Sequence, residues 1–409
     1  MSQTNTSRCP FEYIQNPDLE ADQIAETANL TVKLLDKRYP PPKQILRGVH
    51  PKSHGCVKAT FTINPDIAPE FRVGLFTEPG KQFDAFIRFS NAAAVVGPDT
   101  TEIDPVTKKE VEEHGSRGMA IKVLDVGGEV LIDDNGAHNQ DFLMINQPVF
   151  AFANTEDYLR LDRVLERDND VAAGFFAPLQ LKNPAITEEQ RREILAYIEA
   201  EDISAEDIQR IAKSFKIVKQ EIQTTDVGNP LGIQYFSAAP FLFGPDRVMK
   251  FSAKPYNGEV PPKHSPPKPR PENYLRDALT ETMIRNEPLH FDFMIQVRHE
   301  GENFNIKDDP IVNASIENAS SLWDEAEYKF ISVAKITIPA PQPEVDSEEN
   351  KAHCEKLAFT PWHSLVEHQP IGSINRLRKS VYQASAEHRL ERKDSFVQLL
   401  EKLFKSLFG

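Results

Sequence analysis

From Val57 to Ile63 apolar and polar residues alternate: Val57, Ala59, Phe61 and Ile63 fall on one side, Lys58, Thr60 and Thr62 on the other. A period of two marks a half-buried strand. Similar short runs recur at 83–90 (FDAFIRFS), 119–126 (MAIKVLDV) and 129–133 (EVLID). After a long interval come LHFDFMIQV, where Leu289, Phe291, Phe293, Ile295 and Val297 alternate, and FISVAKITI at 330–338. Helical sequence separates the two strand groups. Thr187 with Gln190 and Ser204 with Asp207 have the spacing of capping boxes, opening helices at EEQRREILAYIEAE and AEDIQRIAKSFK. Residues 17–38 predict an amphipathic helix with Pro17 in its first turn, acids at its start and Lys37 and Arg38 at its end, stopped by Tyr39-Pro-Pro-Pro. Residues 254–271, KPYNGEVPPKHSPPKPRP, are too proline-rich for a core element and predict an extended surface crossing. Strand groups interrupted by helices, with no βαβ rhythm and no repeat of roughly 20–50 residues, predict an α+β fold around an antiparallel sheet or β-barrel.

Composition narrows the functional classes. The 409 residues are 40% hydrophobic, enough for a sizeable core, and carry a net charge of -15. That acidic balance argues against a nucleic-acid partner, whose phosphates need an excess of Lys and Arg. No apolar run reaches the roughly 18 residues of a membrane span. The N-terminal MSQTNTSRCPFEYIQ has no apolar signal core. Cys9, Cys56 and Cys354, odd in number and far apart, predict neither a disulfide framework nor a CxxC metal site. A soluble, cytoplasmic protein in a reducing compartment is the expectation. No GxGxxG or P-loop pattern supports a nucleotide cofactor.

The most informative stretch lies near the C-terminus. In IGSINRLRKSVYQASAEHRLERK, read as a helix, Arg378, Tyr382 and Arg389 are four and seven positions apart and fall within about 40° on one face. One account is a solvated basic face with an amphipathic ring. The other is chemical: a guanidinium one turn from a phenol favours the phenolate, and a phenolate is a hard ligand suited to ferric haem iron. Arg389 would then be free to pair with a propionate.

The segment LAFTPWHSLVEHQPIGSINRLRKSVYQASAEHR resembles the proximal segment of haem catalases, whose Arg-x3-Tyr-x6-Arg pattern supplies the axial tyrosine. Further blocks follow the family's order between about residues 45 and 390. RGVHPKSHG at 47–55 is similar to the distal-histidine segment, with His50 over the iron. FIRFS at 86–90 is similar to the strand carrying a propionate arginine and a serine, here Arg88 and Ser90. RGMAIKV at 117–123 and LMINQPVF at 143–150 complete the set, the latter placing Asn146 as the distal asparagine. The resemblance implies a helical arm at 1–45, a catalase-like haem domain at 46–390 and a C-terminal amphipathic helix at 391–409. It implies haem b with Tyr382 as the iron ligand and Arg378 tuning it. His50 and Asn146 would act on peroxide, and Arg47, Arg88 and Arg389 would face the propionates. Val49 and Phe150 would be apolar walls. Without the resemblance, Asn146 reads as a turn residue before Pro148, Arg88 as a satisfied strand arginine and Cys56 as a packed strand residue. His50 with His54 has a helical zinc spacing, but Pro51 and Gly55 argue against a helix there.

Departures from the pattern qualify what is implied. The chain before His50 is short and about twenty residues follow the proximal helix, so no bound NADPH is expected and the family's tetramer is in question; a homo-oligomer remains open. The channel acid of Arg-Asp-x-Arg-Gly is Gly115 here, in HGSRG, which implies slower dismutation. The short form is similar to the catalase-related branch that includes minicatalases and allene oxide synthases, which act on fatty-acid hydroperoxides. Val49, where the coral allene oxide synthases have threonine, favours catalase or peroxidase action on hydrogen peroxide and small organic peroxides. The alternative is a fatty-acid hydroperoxide isomerase or dehydratase. A non-catalytic haem- or lipid-binding barrel is disfavoured because both the distal base and the phenol are kept. The tail SFVQLLEKLFKSLFG predicts an apolar helical face, docked on protein or making peripheral membrane contact.

Overall fold

The computed structural model describes residues 11–408 apart from 94–95, 97–98, 100–101, 104–109, 112–114, 223–224, 262–264, 268–269 and 299–315. The alternating segments become strands of a closed antiparallel barrel: β1 (Ser53–Ile63), β2 (Gln82–Asn91), β3 (Arg117–Val123), β4 (Gln140–Ile145), β5 (Tyr235–Phe236), β6 (Val248–Pro255), β7 (Leu289–Arg298) and β8 (Ile331–Ile338). Each strand pairs with the next in sequence, and β8 returns to pair with β1. Among the described residues, closure leaves no long open sheet edge in this barrel. A short segment, Phe241–Leu242, pairs with the start of β6. The fold is α+β, as the pattern predicts.

Inward-facing aromatic residues fill the barrel. Phe293 lies 5.1 Å from Phe61, 4.7 Å from Phe142 and 5.7 Å from Phe251 between ring centroids, and all four are fully buried. Truncating such a ring costs about 3–5 kcal/mol. Because successive strand residues point to opposite faces, Ile87 and Phe89 enter this core while Arg88 and Ser90 point away from it.

Helices cover the outside. α1 (Pro17–Arg38) has the predicted bounds; Asn16 caps it by accepting from the Leu19 amide. α2 (Thr155–Arg167) follows β4. α3 (Glu188–Ala200) and α4 (Ala205–Lys216) open on the two predicted capping boxes, both complete. α5 (Tyr274–Met283) precedes β7, and α6 (Glu348–Lys356) and α7 (Ser373–Phe408) end the fold. α1 packs against α2 and α7. Arg376 of α7 fastens the N-terminal segment through Glu12 and Glu20 at 2.6 Å each and Glu317 at 2.7 Å.

Several expectations need correction. Residues 129–133 form no strand: Val130 makes a single bridge to Leu365. β6 runs through Pro255, so the first two residues of the proline-rich segment belong to the sheet. β4 is buried on both faces and lacks the alternation by which a strand is recognised. β6 does alternate, with Met249, Phe251 and Ala253 against Lys250, Ser252 and Lys254, a signal the sequence reading passed over. Cys56 and Cys354, 298 positions apart, form a disulfide between β1 and α6. Sequence distance carried no hint of it, because the closing strand brings both chain ends to one wall. The reducing-compartment inference lapses with it. Cys9 and the side chains of the tail from residue 393 lie outside the described residues; the α7 backbone continues to Phe408 without a break at 391.

Candidate active site

Arg88, Ala120 and Leu143 are register partners across β2, β3 and β4, as are Ser90 and Gly118 across β2 and β3. These residues form the floor of a cavity between the outer barrel wall and α7. Its far wall is the α7 stripe of Val381, Tyr382, Ser385, Ala386 and Arg389; residues 47–50 close one side and Ala358 and Phe359 another. The lining is mostly apolar, with a few convergent polar groups.

His50 has a left-handed backbone conformation, with φ 56°. Arg88 holds it there, Nη2 donating to the His50 carbonyl at 2.9 Å. The ring Nδ1 lies 3.3 Å from Ser90 Oγ. Gly118 lies across from both: a Cβ there would overlap the imidazole and come within 2.9 Å of the serine oxygen. Burial, then the charges of Arg88 and Arg378, push the imidazole down to about 3, so the ring is neutral at ordinary pH. Its Nδ1–Ser90 contact orients it.

Arg47, Arg88 and Arg389 converge on one end of the cavity. Arg47 Nη2 donates to the carbonyls of Cys354 and Leu357, both at 2.9 Å, and its guanidinium sits 5.8 Å from the Phe359 ring centre. Arg389 Nη1 donates to the Glu355 carbonyl. Burial and the neighbouring Arg88 charge bring Arg47 down to about 9, and burial lowers Arg88 and Arg389 as well. The Nε atoms of Arg47 and Arg88 are buried without an acceptor. Buried donors of this kind call for an anion or another acceptor.

Not every predicted site residue reaches the cavity. Val49 lines it, together with His50, Ser90, Tyr382 and the three arginines. Arg378 lies behind Tyr382, 5.3 Å from its ring centre and 5.7 Å from that of Phe150, with Nη1 donating to Asn375 Oδ1 at 3.0 Å. Phe150 therefore backs Arg378 rather than lining the cavity. Asn146 is not at the cavity either. Its Oδ1 accepts from the Arg117 amide at 2.6 Å and its Nδ2 donates to the Gly115 carbonyl at 3.1 Å, so the amide is used to tie the end of β4 to the start of β3. His54 turns away from His50, its Nε2 2.9 Å from Asn91 Oδ1. Among the described residues no cluster of three or more His, Cys, Asp and Glu is placed to hold a metal ion.

Sequence reasoning missed Phe359, Ser385 and Glu355. Phe359 is set by a buried network: Lys122 Nζ lies 2.8 Å from Asp141 Oδ1 and 2.6 Å from Asp134 Oδ2, His363 Nδ1 lies 2.9 Å from Asp141 Oδ2, and the same carboxylate accepts from the Thr360 amide at 3.1 Å. Ser385 Oγ accepts from the Gly48 amide at 3.0 Å, tying the His50 segment to α7. Ser385, three positions after Tyr382 and four before Arg389, lies on the stripe those two share, which could have signalled it. At Gly115, an added Cβ would meet the Ile222 and Thr225 carbonyls, so no side chain fits.

A barrel closed in sequence order, with the helix bearing Tyr382 packed on its outer wall, is the catalase fold. No family model matches the chain. The solved structures it resembles include a fungal catalase, with TM-score 0.54 and 16% identity over 85% of this chain and 60% of that one. Catalase A from Saccharomyces cerevisiae also gives TM-score 0.54, with 15% identity over 92% of this chain and 65% of that one. In sequence, 122 residues are 31% identical to a catalase of Staphylococcus haemolyticus and to a catalase-like protein of Staphylococcus aureus. That is 30% of this chain, and about a fifth of each relative's length: 20% and 22%. Most of this chain therefore has the catalase fold, and 122 of its residues are similar in sequence to catalases.

Proposed function

We propose that this chain is a haem-dependent enzyme that consumes peroxide. The observation that carries the reading is one cavity lined by both Tyr382 and His50 together with Arg47, Arg88 and Arg389. The residues fit haem b. Tyr382 and the three arginines line one mostly apolar cavity, and the two orphaned Nε donors match propionate oxygens. Tyr382 would supply the iron ligand, and Arg47, Arg88 and Arg389 the propionate contacts. Haem, when bound, supplies the redox chemistry that cleaves the peroxide bond.

The chain's own residues then handle position and protons. Neutral His50 can accept a proton from one peroxide oxygen and return it to the other, which leaves as water. Ser90 fixes the ring's orientation while it does so. Val49, Leu143 and Phe359 keep the reacting end apolar, which strengthens each polar contact there. Arg378, stacked behind the phenol, sets a positive charge beside its ring. The preferred substrates are hydrogen peroxide and small organic peroxides.

The test compares one haem-loaded preparation on hydrogen peroxide and on a linoleate hydroperoxide, following oxygen release and diene loss. Rapid oxygen release with little diene loss is expected. Fast diene loss with feeble oxygen release would replace this reading with a fatty-acid hydroperoxide isomerase.

A further inference from the structure

The carboxylate nearest to the three arginines belongs to the protein itself. Glu355, in the last turn of α6, places Oε1 3.7 Å from Arg88 Nη2 and Oε2 3.9 Å from Arg47 Nε. Both distances are too long for hydrogen bonds, and the buried Nε atoms remain without acceptors. The Glu355 side chain keeps 24% of its surface exposed, whereas Arg88 keeps 3%. The arginines are anchored independently of it, by the carbonyls of His50, Cys354, Glu355 and Leu357. So the carboxylate offsets the buried positive charge without occupying the donors, and it has solvent to move into.

We propose that Glu355 is a resident stand-in for the ligand's carboxylates. In the ligand-free protein it compensates Arg47 and Arg88; on binding, the propionates take the close contacts and Glu355 turns outward. The inference rests on the haem reading above. An arriving carboxylate forms charge-assisted bonds of about 2.7–2.9 Å with these guanidinium groups. It thereby meets Glu355 as a like charge a few ångströms away. At about 4 Å and an effective dielectric between about 40 and 80, as for a carboxylate turned into solvent, the repulsion corresponds to roughly a five- to thirtyfold loss of affinity. Removing the charge should tighten haem binding and, at the same time, leave the ligand-free arginines uncompensated.

Full-length apoprotein carrying Glu355→Gln is titrated with haem beside wild type, Glu355→Asp and Glu189→Gln. The last removes one charge from the exposed first turn of α3. Absorbance gives the dissociation constant, and thermal unfolding is followed with and without haem. The expected result is haem binding roughly five- to thirtyfold tighter for Glu355→Gln, with a lower apoprotein melting temperature. Glu355→Asp and Glu189→Gln should stay near wild type. Haem dimethyl ester, which lacks ionised carboxylates, should show no difference between Glu355→Gln and wild type. Unchanged or weaker haem binding by Glu355→Gln overturns the proposal, as does an equal gain with the ester. Failure of wild type to bind haem at all would remove the haem reading and this inference with it.

Discussion

The guanidinium of Arg378 lies over the ring of Tyr382, 5.3 Å from its centre, and is itself buried. One helical turn thus places a permanent positive charge behind the phenol, on the side away from the cavity. Tyr382→Phe keeps the ring and the stacking but removes the oxygen. We expect it to lose haem or to bind it with an altered absorption spectrum; an unchanged spectrum at full occupancy would rule out Tyr382 as the ligand.

His50→Phe should keep haem and lose turnover. The phenyl ring can fill the space beside Ser90 but can move no proton. A drop of about 10²–10⁴-fold in peroxide consumption is the range for loss of a general base. Haem content by absorbance and oxygen release on one sample separate the two effects. Turnover within tenfold of wild type would put the proton transfer elsewhere.

Gly118→Ala is a steric test of the same site. The new methyl group would overlap His50 Nδ1 and crowd Ser90 Oγ, both of which are held by the barrel wall. The strand pairing of β3 does not depend on this position's lack of a side chain. Circular dichroism should therefore be unchanged while peroxide turnover falls at least about tenfold, since small displacements of a catalytic group are costly.

Acid should destabilise the fold below about pH 6.5. Burial pushes His50 and His54 down to about 3 and His368 to about 4. In the unfolded chain each takes up a proton near pH 6.5, so their stabilisation is complete above that pH and is lost as pH falls towards 4 and 3. Asp162 works in the opposite direction: burial raises it to about 7, so the folded protein already holds its proton. Near pH 5 unfolding should therefore take up about two protons from these four groups. Asp162→Asn should raise the uptake to about three. Urea unfolding midpoints across this range measure the slope; a midpoint that rises on acidification would contradict the assignment.

The Cys56–Cys354 bond is checked by alkylation and mass spectrometry without reductant. Neither cysteine should be modified in the unfolded, unreduced protein. Cys56→Ala should lower stability by about 2–5 kcal/mol, the usual cost of losing a native crosslink. It should also loosen Arg47, whose guanidinium donates to the Cys354 carbonyl.

Much of this molecule was legible in its residues. The alternation at Val57–Ile63 and at Leu289–Val297 marked two barrel strands because each has a face turned from the core. The capping boxes at Thr187 and Ser204 marked helix starts to the residue, since that signal is local. β4 was hidden because Gln140–Ile145 is buried on both sides, and β5 because two residues carry no period. At the site, the spacing of Arg378, Tyr382 and Arg389 gave the α7 stripe, but helical spacing alone did not show that Arg378 would stack behind the ring instead of facing the cavity. Asn146 was misplaced for a related reason. A side-chain amide beside a strand end has backbone partners within reach, and nothing in LMINQPVF says whether it will turn to them or away. Glu355 went unnoticed because its meaning depends on three arginines brought from positions 47, 88 and 389.

The carbonyls of Ile222 and Thr225, packed where a side chain at Gly115 would begin, have a consequence for how this protein can change. An aspartate at 115 and the present positions of the Ile222 and Thr225 carbonyls exclude one another. A single codon change could not recover the acid that the resemblance finds missing there; the segment after α4 would have to be rerouted first. The two features can only be exchanged together, and that places this chain across a ridge, not along a slope, from a sequence bearing the acid.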